Sequence, residues 1–247
     1  MDSRYETVRQ LARELVAEST PPVFYDKFST EHTLSKTFFE NNAFINELTD
    51  FVSAEIENDF GHGLHHSIKV AIDAGTLVII ECKLSEFSKE KTERILLLVQ
   101  CAGLLHDIKR KEKNHAVKSA DFALEFLKKY SLSQTEINDI CNAIQSHEAF
   151  KEIVCNFSTE GKIISDCLYD ADKFRWGPDN FAHTVWEMVT FSKIPLNEFM
   201  THFPKGIKVI EKIKYTFRSG TGKEYGPEFI NIGTSIGHEL FNRINNK

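Results

Sequence analysis

The stretch TERILLLVQCAGLLHD, residues 92–107, decides the fold. Its apolar residues run almost all the way round a helical wheel, as expected of a helix at the centre of a bundle. The spacing places His106 one turn from Ala102 and two turns from Val99, so its imidazole should face the core. Asp107 sits about 100° further round the axis. A carboxylate at the end of a buried helix needs a cation or several hydrogen-bond donors. A divalent metal would meet that need, and adjacent His and Asp can reach one ion because their side chains differ in length. The simpler reading has Asp107 capping the chain or pairing with Lys109 or Arg110.

Working outward, HGLHHSIKVAIDAGTLV (62–78) puts His62 and His66 four apart on one helical face, and His66 continues the buried stripe of Val70, Ala74 and Leu77. His65 lies about 100° away and reads as a surface group or one supporting a ligand. In KIISDCLYDADKFRW (162–176), Ile164, Leu168 and Asp172 step by four along one face, which makes Asp172 rather than Asp170 the inward carboxylate. His66, His106, Asp107 and Asp172 together form a two-histidine, two-carboxylate set suited to an octahedral divalent ion with positions left open.

The rest of the 247 residues agrees with a helical protein. Hydrophobic residues make up 41%, enough for a sizeable core, and with 12 glycines, 6 prolines and no proline between Pro22 and Pro178 a turn-dense β chain is excluded. Helical periodicity predicts helices at about 3–18, one or two over 34–57, then 64–84, 91–107, 115–129, 133–147, 162–175, 179–192, 196–217 and 229–244. Ser133 with Glu136 forms a capping-box pattern. The expectation is an all-α bundle of roughly eight to ten helices, with a helix and linker at 1–22, a core at 23–195 and a helical extension at 196–247. Ser219-Gly220-Thr221-Gly222 lacks the glycine-rich phosphate fingerprints and reads as a connection.

The net charge of −6 argues against a nucleic-acid or anionic-membrane partner, so an anionic substrate must be captured by local positive charge. Lys109, Arg110, Lys111 and Lys113 supply such a cluster directly after Asp107, and Lys109, Arg110 and Lys69 are the candidates to reach a substrate phosphate. The five cysteines (Cys82, Cys101, Cys141, Cys155, Cys167) contain no C-x-x-C and read as small core residues of a reducing compartment. With no apolar signal core or spanning run, the expectation is a cytoplasmic protein. Phe150, Phe174, Trp176, Phe181 and Trp186 could stack on a base, but aromatic residues at helical spacing read first as core. Composition leaves a homo-oligomer open.

His66-x-x-Lys69-Val70, Leu104-Leu105-His106-Asp107-Ile108 and Asp170-Ala171-Asp172-Lys173-Phe174 resemble the H…HD…D signature of the HD-domain metal-dependent phosphohydrolases. Lys69 stands where that signature usually has Arg, and Arg175 where it ends in an acid. The resemblance implies an all-helical HD-type core binding one or two divalent ions (Mn, Mg, Ni, Co, Zn or Fe) through His66, His106, Asp107 and Asp172. It implies a phosphorylated small molecule, a nucleotide above all, as substrate. His115 and His147 fit a subset of the family that holds a second ion, with Asp107 bridging. The alternative has His115 capping its helix or facing the substrate phosphate and His147 as a donor behind the first ion; His62 is a further candidate for the second ion or its surroundings, and Asp107, His115 and His147 are the catalytic candidates, with either histidine able to protonate the leaving alkoxide. Two rival functions remain: a di-iron oxygenase of the same fold, and a non-catalytic nucleotide-binding regulator.

Overall fold

A computed structural model of the chain describes residues 3–55, 63–154, 157–186, 189 and 193–245. Among these residues every regular element is helical: α1 (Ser3–Glu18), α2 (Val23–Lys27), α3 (Ser29–Asn41), α4 (Ala43–Glu55), α5 (Leu64–Leu84), α6 (Lys89–Leu105), α7 (His115–Leu127), α8 (Gln134–Gln145), α9 (Thr159–Phe174), a π-helical segment (Asn180–Thr184), α10 (Leu196–Ile213) and α11 (Gly220–Asn245). The all-α expectation is met. The helices outnumber the eight to ten expected because residues 23–55 divide into three. Pro21-Pro22 hold the chain extended ahead of α2, and Asn42 separates α3 from α4 by turning extended and accepting the Phe44 and Ile45 N–H groups at 3.1 Å.

α6 is the central helix. Ile95, Leu98, Val99, Cys101, Ala102, Leu104 and Leu105 are all buried, as its sequence implies, and α5, α8 and α9 surround it. One contiguous core runs from Tyr5 and Ala12 of α1 to Ile230 and Leu240 of α11. α5 and α6 approach closely at Gly103, where a Cβ would stand 2.6 Å from the Cα of Ala71. That contact brings the end of α6, and with it His106, against the first turns of α5, where His66 lies.

The other helices that carry site residues are tied to this pair by their ends. Ser133 and Glu136 form the expected capping box on α8. Glu136 also accepts from Arg94 of α6, at 2.5 Å from Nε and 2.9 Å from Nη2, so one carboxylate both caps α8 and fixes it to α6. Ser158 caps α9 at the Gly161 N–H, and Asp139 of α8 holds that cap by accepting the Ser158 backbone N–H at 3.1 Å and its hydroxyl at 2.5 Å. At the other end of α9, Asp170 accepts the Arg218 and Ser219 N–H groups, both at 2.8 Å, while Glu81 of α5 accepts that of Thr221 at 2.7 Å.

This last arrangement corrects the reading of residues 219–222 as a connection. Ser219 Oγ accepts the Gly222 N–H and opens α11 at Gly220, ahead of the expected start at 229. The partial positive charge of that helix end is met by the protein's own Asp170 and Glu81. Gly222 is required there, since a Cβ would fall 2.0 Å from the Asp170 carboxylate. The helix expected over 179–192 is π-helical at Asn180–Thr184, a widened turn in which the Phe181 carbonyl accepts the Trp186 indole N–H at 2.6 Å. Phe174, Phe181 and Trp186 are core, whereas Phe150 is exposed and Trp176 half-buried. Cys82, Cys101, Cys141 and Cys167 are buried free thiols, and Cys155 lies outside the described residues. Among the described residues no helix is long and apolar enough to cross a membrane.

Two outcomes follow for stability. Gly103→Ala gains helix propensity but collides with the α5 backbone, and overpacking of this kind costs about 2 kcal/mol, which lowers Tm by roughly 4–8 °C in a thermal melt. The Arg94 hydrogen bonds hold Glu136 down to about 2, below its ordinary carboxylate range. A depressed acid stabilises the fold above its unfolded pKa, and that contribution disappears as pH falls through its folded value. Glu136→Ala should therefore cost about 1 kcal/mol at pH 7. The cost should shrink below pH 4.5 and vanish near pH 2, as followed by urea unfolding at each pH.

Candidate metal centre

Four helix ends and one loop meet beside the C-terminus of α6. His106 lies immediately after the helix and Asp107 one residue further on, and both are buried. His106 Nδ1 donates to the Gly103 carbonyl at 2.8 Å, which leaves Nε2 directed at the cluster. Burial pushes its pKa down to about 3, so the ring is neutral and its Nε2 lone pair is available near neutral pH. Around that atom stand His66 Nε2 at 3.3 Å, Asp107 Oδ2 at 3.6 Å and Asp172 Oδ1 at 3.8 Å. His66 Nε2 is in turn 3.3 Å from Asp172 Oδ1. His66, His106 and Asp172, chosen by helical register, and Asp107, which ends the buried helix, are thus brought together.

The other oxygen of Asp107 faces a second group. Oδ1 lies 3.3 Å from His115 Nε2 and 3.4 Å from His147 Nε2. Asn114, with a left-handed backbone that asparagine tolerates, turns the chain into α7 and sets His115 on its first residue. His147 follows α8, and its Nδ1 donates to the Ile144 carbonyl at 2.6 Å, the same tautomer-fixing contact as at His106. The ligand atoms of His66, His106 and Asp107 lie within 4.8 Å of one another, as do those of Asp107, His115 and His147.

Two neighbouring cations balance the buried carboxylates. Lys173 Nζ is 2.5 Å from Asp172 Oδ2 and is itself buried. Burial alone would raise Asp172, but the Lys173 ammonium and the His66 hydrogen bond outweigh it and hold the carboxyl well below its usual range. Arg110 Nη1 donates to His115 Nε2 at 2.7 Å and lies 3.8 Å from Asp107 Oδ1. A cleft of about 220 Å³ opens over the group, with Asp107, Arg110, His147, Asp172 and Lys173 on one side and Val209 and Ile213 of α10 on the other.

The remaining sequence candidates lie elsewhere. The Lys109 amine stands 5.0 Å from the Phe122 ring centroid, and Lys69 pairs with Asp179 at 3.1 Å, so neither lines this cleft. His62 falls outside the described residues. Sequence reasoning missed Lys173, which stood inside the quoted Asp170-Ala171-Asp172-Lys173 motif beside a ligand, and it singled out no residue of the α10 wall, only a C-terminal helical extension packed on the core.

A family model for the HD domain matches residues 63–174, the stretch that contains all six histidine and aspartate residues of the cluster. The chain carries an HD domain. No curated protein and no solved structure matches it. HD domains are in general metal-dependent hydrolases, and the residues present fit a divalent ion. The His106 imidazole with its tautomer fixed, the His66 imidazole and two carboxylates form a four-residue first set at His66, His106, Asp107 and Asp172. The second trio offers one carboxylate and two imidazoles, one of which is already engaged by Arg110.

This asymmetry predicts unequal uptake. Purified HD-domain protein should retain one ion per chain by elemental analysis and take up a second, more weakly, when titrated calorimetrically with Mn²⁺. Arg110→Ala should tighten the second event, His147→Ala should remove it, and Asp107→Ala should remove both.

Proposed function

We propose that this HD-domain protein is a divalent-metal-dependent phosphohydrolase that cleaves a phosphate ester, most directly that of a nucleotide. The supporting observation is that Arg110 and Lys173 share one small cleft with the metal-ligating carboxylates. That arrangement gives a dianionic phosphate cations of its own beside an ion site. An ion held by His66, His106, Asp107 and Asp172 would supply Lewis acidity and make a nearby water more acidic.

The chain's own groups then have separable tasks. Arg110, half-exposed at the cleft, draws the phosphate in and offers a planar pair of donors to two of its oxygens. Lys173 neutralises charge developing on a third oxygen, and its buried position makes that interaction stronger than it would be in water. Water supplies the attacking oxygen and loses its proton to the Asp107 carboxylate. Asp107 Oδ1 is 3.4 Å from His147 Nε2, so this proton can pass to the imidazole and on to the leaving alkoxide as the P–O bond breaks. Val209 and Ile213 of α10 give the cleft an apolar side.

One observation favours a second reading. Two histidine groups sharing one carboxylate is also the ligand plan of a di-iron oxygenase. Tightly held iron at two per chain with substrate-dependent oxygen uptake would establish that function in place of hydrolysis. A non-catalytic nucleotide-binding regulator is less well supported, because the full ligand set is in place.

The deciding assay is phosphate release from a panel of nucleotides and sugar phosphates with Mn²⁺ present and oxygen excluded. His106→Ala and Asp107→Ala should abolish turnover while retaining the helical circular dichroism signal. Lys173→Met should lower kcat/KM by about 100-fold. Full activity in any of the three would overturn the proposal.

A further inference from the structure

A second cavity, of about 570 Å³, shares no lining residue with the metal cleft. It is walled by the end of α1 and the Pro21-Pro22 linker, by α3, α5 and α11, and by the C-terminus of α9. Cavities of roughly 300–1,000 Å³ hold small organic ligands, with mostly apolar walls and a few polar or charged groups that fix orientation. This one has that make-up. Pro22, Ile72, Phe174 and Phe229 supply apolar surface, and the Phe174 and Phe229 rings stack with centroids 4.0 Å apart. Charge comes from three cations, Lys36, Lys69 and Arg175, and two carboxylates, Asp73 and Asp179.

The carboxylates are already engaged. Asp73 accepts from Arg175 Nη2 and, at 2.9 Å, from the Tyr25 hydroxyl, with His32 Nε2 3.6 Å from its other oxygen. Asp179 is shared: Oδ1 accepts from Lys69 Nζ at 3.1 Å and Oδ2 from Arg175 Nη1. Donors, by contrast, are left over. Among the described residues Lys69 has that single acceptor for three N–H groups, Lys36 has only Glu40 at 3.7 Å, and the buried Arg175 Nε has none.

This imbalance selects the occupant. A cationic ligand would face Lys36 and Lys69 and find no free carboxylate. A neutral apolar ligand would strip water from the ammonium groups and return nothing. An anion carried on an apolar body meets both walls. Asp179 shows which anion the cations accommodate, since Lys69 and Arg175 already hold a carboxylate between them, one oxygen to each.

We infer that this cavity is a ligand site separate from the metal cleft, and that it takes a small organic acid whose carboxylate binds at Lys69 and whose apolar body lies against Ile72 and Phe229. Asp179 competes with the ligand's carboxylate for Lys69 and adds a like charge beside it, so the protein's own acid limits the affinity. The assignment stands apart from the phosphohydrolase reading, because no metal ligand lines the cavity.

The test uses the full chain as purified. 1-Naphthoate and octanoate are titrated by saturation-transfer NMR against their neutral counterparts, 1-naphthalenemethanol and octan-1-ol, and against acetate, which has no apolar body. At least one of the two acids should bind saturably, with its alcohol and acetate at least about tenfold weaker. Lys69→Met should weaken the acid by about tenfold with unchanged circular dichroism, whereas Asp179→Asn should tighten it by about threefold. Asp179→Asn decides the matter should Lys69→Met misfold. Absence of binding by both acids, equal binding of an acid and its alcohol, wild-type affinity in folded Lys69→Met, or weaker binding in Asp179→Asn would each overturn the assignment.

Discussion

The architecture depends on a carboxylate placed where an apolar helix ends. Asp107 is almost wholly buried, and it follows the C-terminus of α6, the negative end of the helix dipole. Neither solvent nor the helix stabilises a charge there, and desolvating a carboxylate costs several kcal/mol even after relaxation. The surrounding elements converge on this charge. α5 brings His66, α7 brings His115, the turn after α8 brings His147, and the end of α9 brings Asp172 with its own counter-ion, Lys173. The capping contacts at Glu136, Asp139 and Asp170 are the means by which those helix ends are held in place around one atom pair.

Asp170 and Asp172 show how closely register governs this. Two residues apart on α9, they point to nearly opposite sides of the helix. One enters the metal centre and the other closes on the N-terminus of α11. α9 therefore links the HD domain's chemistry to residues beyond 195, and Glu81 adds a second link from α5. The C-terminal helices are positioned by the same elements that carry the ligands, which is how α10 comes to wall the cleft.

Register was also what made the site readable. His66, His106 and Asp172 each continue a buried stripe, and Asp107 ends a helix that is apolar all round; a polar group in such a place announces itself. His115 and His147 do not: one opens α7 and the other follows α8, where periodicity carries no direction, and their placement came only from a family resemblance. In the basic run after Asp107 every side chain is a plausible phosphate ligand by charge. The turn geometry sends Arg110 to His115 and Lys109 to Phe122, a distinction set by backbone that no helical wheel describes. Residues 196–217 read as an amphipathic helix, but an apolar face looks the same in sequence whether it covers core or borders a cleft. The π-helical segment at Asn180–Thr184 is a widened turn for which the sequence has no periodic signature.

Charge arithmetic connects the centre to its proposed substrate. The two carboxylates, Asp107 and Asp172, are formally balanced by Lys173 and Arg110. A divalent ion alone would leave the buried cluster two charges in excess, a state penalised in low dielectric. A phosphate dianion arriving with that ion restores neutrality, whereas a neutral substrate does not. Ion and phosphate should thus favour one another's binding, each removing part of the other's electrostatic cost. The same count separates the two enzymatic readings. With two divalent ions and no anion the excess doubles, so a dinuclear centre needs Arg110 displaced toward solvent or an anionic ligand between the ions. Arg110, engaged with His115 and half-exposed at the cleft mouth, is the one cation of the pair placed to make that movement.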